Sequence, residues 1–525
     1  MPAVTNVVAP PAAIAINKWM IAVAVMAATF MEVLDTTVVN VSLPHIAGNL
    51  SATPEEATWA LTSYLVANAI ILPMTGWLAN YFGRKRLLMA SVTGFTVASF
   101  FCGFAPNLPL LIIFRVIQGA AGGGLQPLSQ AILLEVFPPA ERGKAMAFWA
   151  LGIVVAPLIG PVLGGWLTDS YSWRWIFYIN IPIGIAALIM ISLFVFDPSY
   201  IGRKSQKIDY FGMGFLVIGI GALQIMLDKG QEEDWFASRF VITLAVLTGV
   251  GLIAFVIREL QTDHPIVDLR VFRIRTYATG VFLMTVLGFV LYGSTVLIPL
   301  LLQTVLGYPA LQAGVAMLPR GLGSFIAMPM VGLMMSKIES RRLLMAGIVF
   351  SSLSYYSFTH LSLDFGYWNF FWPLILQGAA VGLVFIPLTT ITNDPVPKEE
   401  MGNATSLFNL MRNVGASIGI ATVTTLLTRK QQMHTNILGE HITRFNPVAQ
   451  NTLQGIRAGL IARGVDSATA NQQAYAAVSG MVRQQAAIMS YNDVFRVLMI
   501  LFMLLLPLVF LMRKPRHQAG PIVIH

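Results

Sequence analysis

Residues 76–90 read GWLANYFGRKRLLMA and residues 332–346 read GLMMSKIESRRLLMA. A glycine, a pair of basic residues and the string RLLMA recur in register. QGAA, beginning at Gln118, returns at Gln377, and both echoes span roughly 260 residues. One such echo could arise from the small alphabet of apolar segments; two at nearly the same offset argue against coincidence. The chain therefore reads as two related halves of about six helices each, with an extra pair of helices near 210–258 between them, the kind of internal duplication from which alternating-access carriers are built.

Composition agrees with that reading. The 525 residues are 56% hydrophobic and only 11% charged, and the mean hydropathy of +0.71 lies outside the soluble globular range, so an all-α integral membrane protein is expected. The net charge of +9 comes in small clusters between apolar segments, which marks topology and argues against a nucleic-acid partner. A helix needs about 20 apolar residues to cross the hydrocarbon core. At that length, about fourteen spans are expected, near 19–42, 57–79, 87–106, 108–129, 145–168, 174–197, 210–227, 238–258, 277–302, 311–335, 341–361, 367–391, 403–427 and 493–512. With the N-terminus inside, roughly twenty Lys and Arg fall in the inner loops and tails against three (Arg174, Lys229 and Arg239) in the short outer loops, so both termini are expected in the cytoplasm. Residues 1–18 lack a basic start and a small-residue cleavage site, so the first helix reads as a retained anchor. The single Cys102 excludes an intrachain disulfide and any cysteine-based metal or redox motif.

The expected organisation is a cytoplasmic tail over 1–18, a six-helix bundle over 19–200, two inserted helices over 201–276, a second six-helix bundle over 277–512 and a cytoplasmic tail over 513–525. Within the second bundle, 428–492 is polar and rich in Gln, Ala and Asn. Its composition favours short amphipathic helices outside the membrane, broken at Pro447, Gly455 and Gly464.

Against this apolar background, residues 30–44, FMEVLDTTVVNVSLP, place Glu32 and Asp35 inside the first span. A charge at the bilayer centre costs about 2.5–3.5 kcal/mol even on lenient scales, so the pair marks function. Three residues apart on a helix, they share a face. Arg115, on a helix running the other way, lies at the same depth as Asp35, about 10–12 Å below the outer surface. If the two meet, each compensates the other, and separation or protonation reverses that. The alternative is a permanent pair that fastens two helices. Glu32, about 4–5 Å deeper, is placed either to take the proton or to meet a cationic substrate.

Four stretches carry a family resemblance: GWLANYFGRKR from Gly76, LIIFRVIQG from Leu111, APLIGPVLGG from Ala156 and LDTTVVNVSLP from Leu34. In that combination the chain resembles the major facilitator superfamily (MFS), specifically its fourteen-helix drug:proton antiporter branch and EmrB-type exporters. Asn80 stands where the loop signature usually has Asp, and Ala156 replaces the first glycine of the exporter signature. The resemblance implies proton-coupled efflux of hydrophobic or cationic toxic compounds across a bacterial inner membrane. No cofactor beyond the proton gradient is implied. It also implies a periplasmic adaptor and an outer-membrane channel as partners, with 428–492 as the docking candidate. Asp35, Glu32 and Arg115 are the expected proton-coupling residues. Gly76, Gly83, Arg84 and Lys85 form the gating loop, and Gly160, Pro161, Gly164 and Gly165 give a small-residue surface expected to be a joint between the halves. The first and fourth helices of each half are implied to line the cavity, which selects Glu32, Asn40, Gln118, Gln126, Tyr292, Gln303 and Gln377 as candidate substrate contacts. Arg412 has no partner identifiable from sequence.

Other motifs fail. GASIG at 415–419 has the spacing of a hydrolase elbow but sits in an apolar helix without the strand and turn that motif needs. No phosphate-binding loop occurs, so ATP is not the direct energy source. The scattered histidines make a metal site improbable. An importer on the same fold, coupled to protons as a symporter, and a non-transporting receptor or scaffold are the competing functional classes.

Overall fold

The computed structural model describes residues 17–197, 209–443, 445–510 and 512. The expected tails before Asn17 and over 513–525, the boundary between 200 and 201, and the basic residues Arg203, Lys204 and Lys207 lie outside the described residues.

The described chain is helical, and 13 helices are long and apolar enough to cross a membrane. The first bundle contains α1 (Lys18–Asn49), α2 (Trp59–Phe82), α3 (Arg84–Phe104), α4 (Leu108–Gly122, continued by Leu125–Val136), α5 (Arg142–Ser170) and α6 (Asn180–Phe194). The inserted pair is α7 (Tyr210–Lys229) and α8 (Arg239–Gln261). The second bundle contains α9 (Arg275–Leu300), α10 (Ala310–Met334), α11 (Ser340–Phe358), α12 (Tyr367–Asn393), α13 (Met401–Glu440) and α14 (Ser467–Met503). α11, where a span was expected near 341–361, is less apolar than the others because Arg341 and Arg342 open it and serines line one face; it packs between α12 and α14.

Local chemistry sets the helix boundaries. The Asn17 side chain accepts from the Trp19 N–H at the start of α1, and Asn107 accepts from Leu110 at the start of α4, so each satisfies an otherwise orphaned donor. Gly83 turns the chain between α2 and α3 at φ +89°, a conformation side-chain-bearing residues resist. Asp209 caps α7 through the Gly212 N–H and holds Arg258 of α8 at 2.7 Å. Burial alone would raise its pKa, but the Arg258 and backbone hydrogen bonds outweigh it and hold the carboxyl below the usual range.

The two bundles repeat each other in detail. A Cβ on Gly119 would lie 2.3 Å from the Tyr64 carbonyl oxygen, and one on Gly378 would lie 1.9 Å from that of Arg320. The glycine of each QGAA therefore seats α4 directly on α2, and α12 directly on α10.

The halves meet along α2–α13 and α5–α10. Gly76 touches the backbone of Asn403, and Gly332 touches Ala147. Arg142 Nη1 bonds Asp394 Oδ1 at 2.7 Å, Thr405 donates to the Pro127 carbonyl, and Asn409 donates to Gln130 at 2.6 Å. These contacts close the end of the molecule that carries the basic loops. The inserted α7 lies over the α2–α13 seam, with Thr62 bonded to Asp228, Lys229 to Thr58, and Ser417 to Gln224. Trp235, which follows α7, donates to Thr425 of α13. Among the described residues the α5–α10 seam has no such cover, and it holds an apolar cavity of about 390 Å³, lined by Val154, Leu158, Leu318, Leu322, Phe325 and Phe371 among others.

Two expectations need correction. Gly160 and Gly164 press on Thr37 and Val38 of α1, so the small-residue surface is a joint inside the first bundle. The contact between halves uses Gly76, Gly143, Gly321 and Gly332 instead, because the α5 face bearing Gly160 turns towards its own bundle. The 428–492 stretch is also not a chain of short helices. α13 continues unbroken to Glu440 and α14 begins at Ser467, and among the described residues only Pro447–Ala462 forms a separate helix, resting on α14 through Leu453, Ala474 and Val478. Of the expected breaks, Pro447 opens the separate helix and Gly464, at φ +90°, lies in the turn just past its end, whereas Gly455 lies within the helix with open space around it.

Candidate functional site

α1 carries Glu32 and Asp35 into the first bundle, and both are buried. Asp35 Oδ2 receives Arg115 Nη1 at 2.6 Å, while Oδ1 receives Gln118 Nε2 at 3.0 Å and Asn180 Nδ2 at 2.8 Å. Arg115 also donates from Nε to the Ala60 carbonyl and from Nη1 to Gln118 Oε1. The Tyr64 ring lies 4.2 Å from its guanidinium carbon. Ser99 accepts from Asn180 and donates to the Phe177 carbonyl. Asp35 and Arg115 are thus a fully desolvated pair, held from five helices, and stable only because each charge has a partner.

Glu32 differs. Its Oε1 accepts from Asn68 at 3.0 Å and from Gln126 at 3.3 Å, and Oε2 has no hydrogen-bond partner among the described residues. The Gln126 amide also uses its oxygen to accept from Arg412 Nη2 at 2.6 Å. Arg412 belongs to α13 of the other half, so one amide links the Glu32 carboxylate to a guanidinium across the seam.

The gating residues gather at the closed end. Arg84 is buried in an ion pair with Glu135 of α4 and reaches the Lys398 carbonyl of the other half at 3.4 Å. Glu135 supplies an acid beside the loop in which Asn80 lacks one. The Lys85 backbone N–H and the Gly83 turn both meet the Asp197 side chain. Pro161 is exposed on the outside of α5, and Gly165 has nothing closer than Val41 at 4.0 Å.

The candidate substrate contacts do not converge. Glu32 and Gln126 sit together at the seam. Gln118 is fully buried with its amide committed to Asp35 and Arg115, so it belongs to the ion pair. Asn40 and Gln303 are exposed near the far ends of α1 and α9. Tyr292 is partly exposed on α9, and Gln377 is buried beside Ser294 in the second bundle. Tyr64, Ser99, Asn180 and Glu135 were not singled out from sequence: each is an ordinary polar residue in an apolar helix, with no local pattern to mark it. A signal did exist for Tyr64, the repeat register that aligns it with Arg320.

Comparisons with known proteins follow the same lines. Residues 25–420 match the family model described as Major Facilitator Superfamily. The chain is 41% identical over 498 residues to the fatty acid resistance protein FarB of Neisseria gonorrhoeae, covering 94% of this chain and 96% of that protein. It is 40% identical over 504 residues to the multidrug export protein EmrB of Escherichia coli K12, covering 95% and 96%. To EmrB of Haemophilus influenzae it is 45% identical over 434 residues, covering 82% and 85%. Among solved structures, the human organic anion transporter MFSD10 superposes with a TM-score of 0.58 at 12% identity, covering 94% of this chain and 100% of that one. The proton:xylose symporter XylE gives 0.55 at 14% identity, covering 93% and 96%. At those identities the likeness concerns the fold alone.

Proposed function

Because this chain belongs to the Major Facilitator Superfamily, and within it to the EmrB-type exporters, we propose that it is a proton-driven antiporter. It expels hydrophobic toxic compounds across a bacterial inner membrane, and both termini lie in the cytoplasm. The relatives named for multidrug export and for fatty acid resistance support the substrate breadth. The observation that carries the coupling is the Glu32–Gln126–Arg412 relay across the seam.

The charged Glu32 carboxylate accepts from Gln126 and fixes that amide so that its oxygen faces Arg412. A proton on the unpartnered Oε2 neutralises the acceptor and weakens the Gln126 contact, since hydrogen bonds to charged groups are worth about 1.5–3 kcal/mol and neutral ones roughly half as much. The amide is then free to turn, and Arg412 loses its hold on the first bundle. A proton entering down about 100 mV supplies 2.3 kcal/mol from the electrical term, of the same order as the contact it releases. Asp35, tied to Arg115, is the second candidate carrier, and its pair must open before it can take a proton. Substrate enters with the cytoplasmic end open, the bundles rock, outside protons load the acid, and substrate leaves outward. The projecting arm formed by α13, α14 and Pro447–Ala462 docks a periplasmic adaptor that leads to an outer-membrane channel.

Efflux of a fluorescent dye from cells, with and without a protonophore, tests the coupling. The expected result is collapse of efflux with the gradient; export that persists at full rate contradicts the proposal.

A further inference from the structure

The repeat register pairs the two polar nodes position by position. The close approaches of Gly119 to Tyr64 and of Gly378 to Arg320 match Tyr64 with Arg320 and Gln118 with Gln377. Asp35, which bonds Gln118, corresponds to Ser294, which bonds Gln377 at 3.4 Å. The place of Arg115, three residues before the glutamine, is held by the buried Leu374. The first node is thus neutral, with one arginine and one aspartate. The second carries a guanidinium from the tyrosine's place and a serine in the acid's place.

Arg320 makes no ion pair and no side-chain hydrogen bond among the described residues, and the titratable groups facing it are the hydroxyls of Tyr355 and Tyr292. Tyr355 bonds Ser294 at 3.1 Å, and Gln377 Oε1 is buried without a partner. An uncompensated cation inside a membrane span is costly, and Arg320 remains partly exposed inside the second bundle. The planar guanidinium fork matches a carboxylate in two parallel hydrogen bonds. The same helix carries Leu318, Pro319, Gly321 and Leu322, which line the apolar cavity at the α5–α10 seam, while Arg320 itself turns into the second bundle.

We propose that Arg320, with the Tyr292 hydroxyl, is an anion subsite that takes the carboxylate of a single-tailed amphiphile in the place where the first bundle keeps its own acid, Asp35, with Tyr355 and Gln377, whose donors are held by Ser294, forming its wall. This rests on the export reading for its substrate but not for its test. The probes are radiolabelled dodecanoate and dodecyltrimethylammonium, which have the same tail and opposite charge, and their saturable binding to the full-length purified protein is measured without any gradient. In Arg320→Gln the affinity ratio of dodecanoate over dodecyltrimethylammonium is expected to fall about tenfold or more, as loss of a charge-assisted contact implies. Ser294→Asp, which restores the acid and leaves the arginine in place, is expected to lower the ratio equally, and Arg320→Lys to lower it less. An unchanged ratio in both Arg320→Gln and Ser294→Asp, or no saturable binding of dodecanoate to the native protein, overturns the subsite. Gradient-driven transport of dodecyltrimethylammonium by the same preparations in proteoliposomes reports separately on the export reading.

Discussion

Three side chains in the first bundle have different chemistry for one physical reason: the bilayer makes every charge depend on its partner. Asp35 accepts hydrogen bonds from α4 and α6, and Asp35→Asn leaves Arg115 buried without a counter-charge, a change that costs about 3–5 kcal/mol when a buried pair is broken. The expected outcome is lost drug resistance with a lowered melting temperature of the purified protein. The double variant Asp35→Asn with Arg115→Leu, which imitates the Ser294 and Leu374 pairing of the second bundle, should regain most of that temperature without regaining resistance. Additive losses in the two single variants would show that the pair is not coupled. Glu32→Gln keeps an oxygen for Asn68 and Gln126 and imitates the protonated acid. Substrate exchange across proteoliposomes should continue, while net transport stops responding to an imposed pH gradient. The partners of these acids were only partly legible in sequence. Equal depth along two helices singled out Arg115, but nothing local points from Asp35 to Asn180 on α6 or from Arg412 to Gln126 on the opposite half.

Among the helices, glycine placement separates packing within a bundle from motion between bundles. A Cβ at Gly160 would meet Thr37 Oγ1 at 2.2 Å inside the first bundle. Gly160→Val should therefore lower the melting temperature through overpacking, which costs about 1–3 kcal/mol. A Cβ at Gly76 would meet the Asn403 backbone at 2.6 Å across the seam. Gly76→Val should leave the bundles folded but unable to close. A reporter cysteine at Gln130, buried beside Asn409 in the closed form, should then react faster with a charged maleimide. Equal labelling rates with and without Gly76→Val would remove α2–α13 from the gate. The native Cys102 is buried and does not compete. The apolar spacing of APLIGPVLGG shows that something packs closely on α5, but a helix face does not announce which neighbour it meets.

At the scale of the whole molecule, the inserted pair and the projecting arm distinguish this chain from a bare pair of bundles. α7 straps the α2–α13 seam, while the α5–α10 seam holds its apolar cavity without a comparable strap among the described residues. α13 has 40 residues and α14 has 37. Those lengths correspond to about 55–60 Å against a hydrocarbon core of about 30 Å, so both helices stand well clear of the membrane. Replacing residues 446–466 with a glycine–serine linker should spare transport in proteoliposomes and abolish resistance in cells that depend on the adaptor. Equal resistance in those cells would mean the arm is not the docking element.

Hydropathy, the basic clusters between spans and the return of the glycine, paired basic residues and RLLMA in the second half were enough, by themselves, to determine the membrane class, the two related halves and the acids worth watching, and to set about fourteen spans against the 13 helices long and apolar enough among the described residues. Those are local properties: a span must be apolar along its own length, and a repeat keeps its own register. The tertiary structure alone decided which polar groups meet, that the Gly160 surface faces α1, that a single amide bridges Glu32 to Arg412, and that Arg320 is left with no acid among the described residues. In a medium without water, the state of a charge is set by groups that other helices bring to it, and those helices lie tens to hundreds of residues away along the chain.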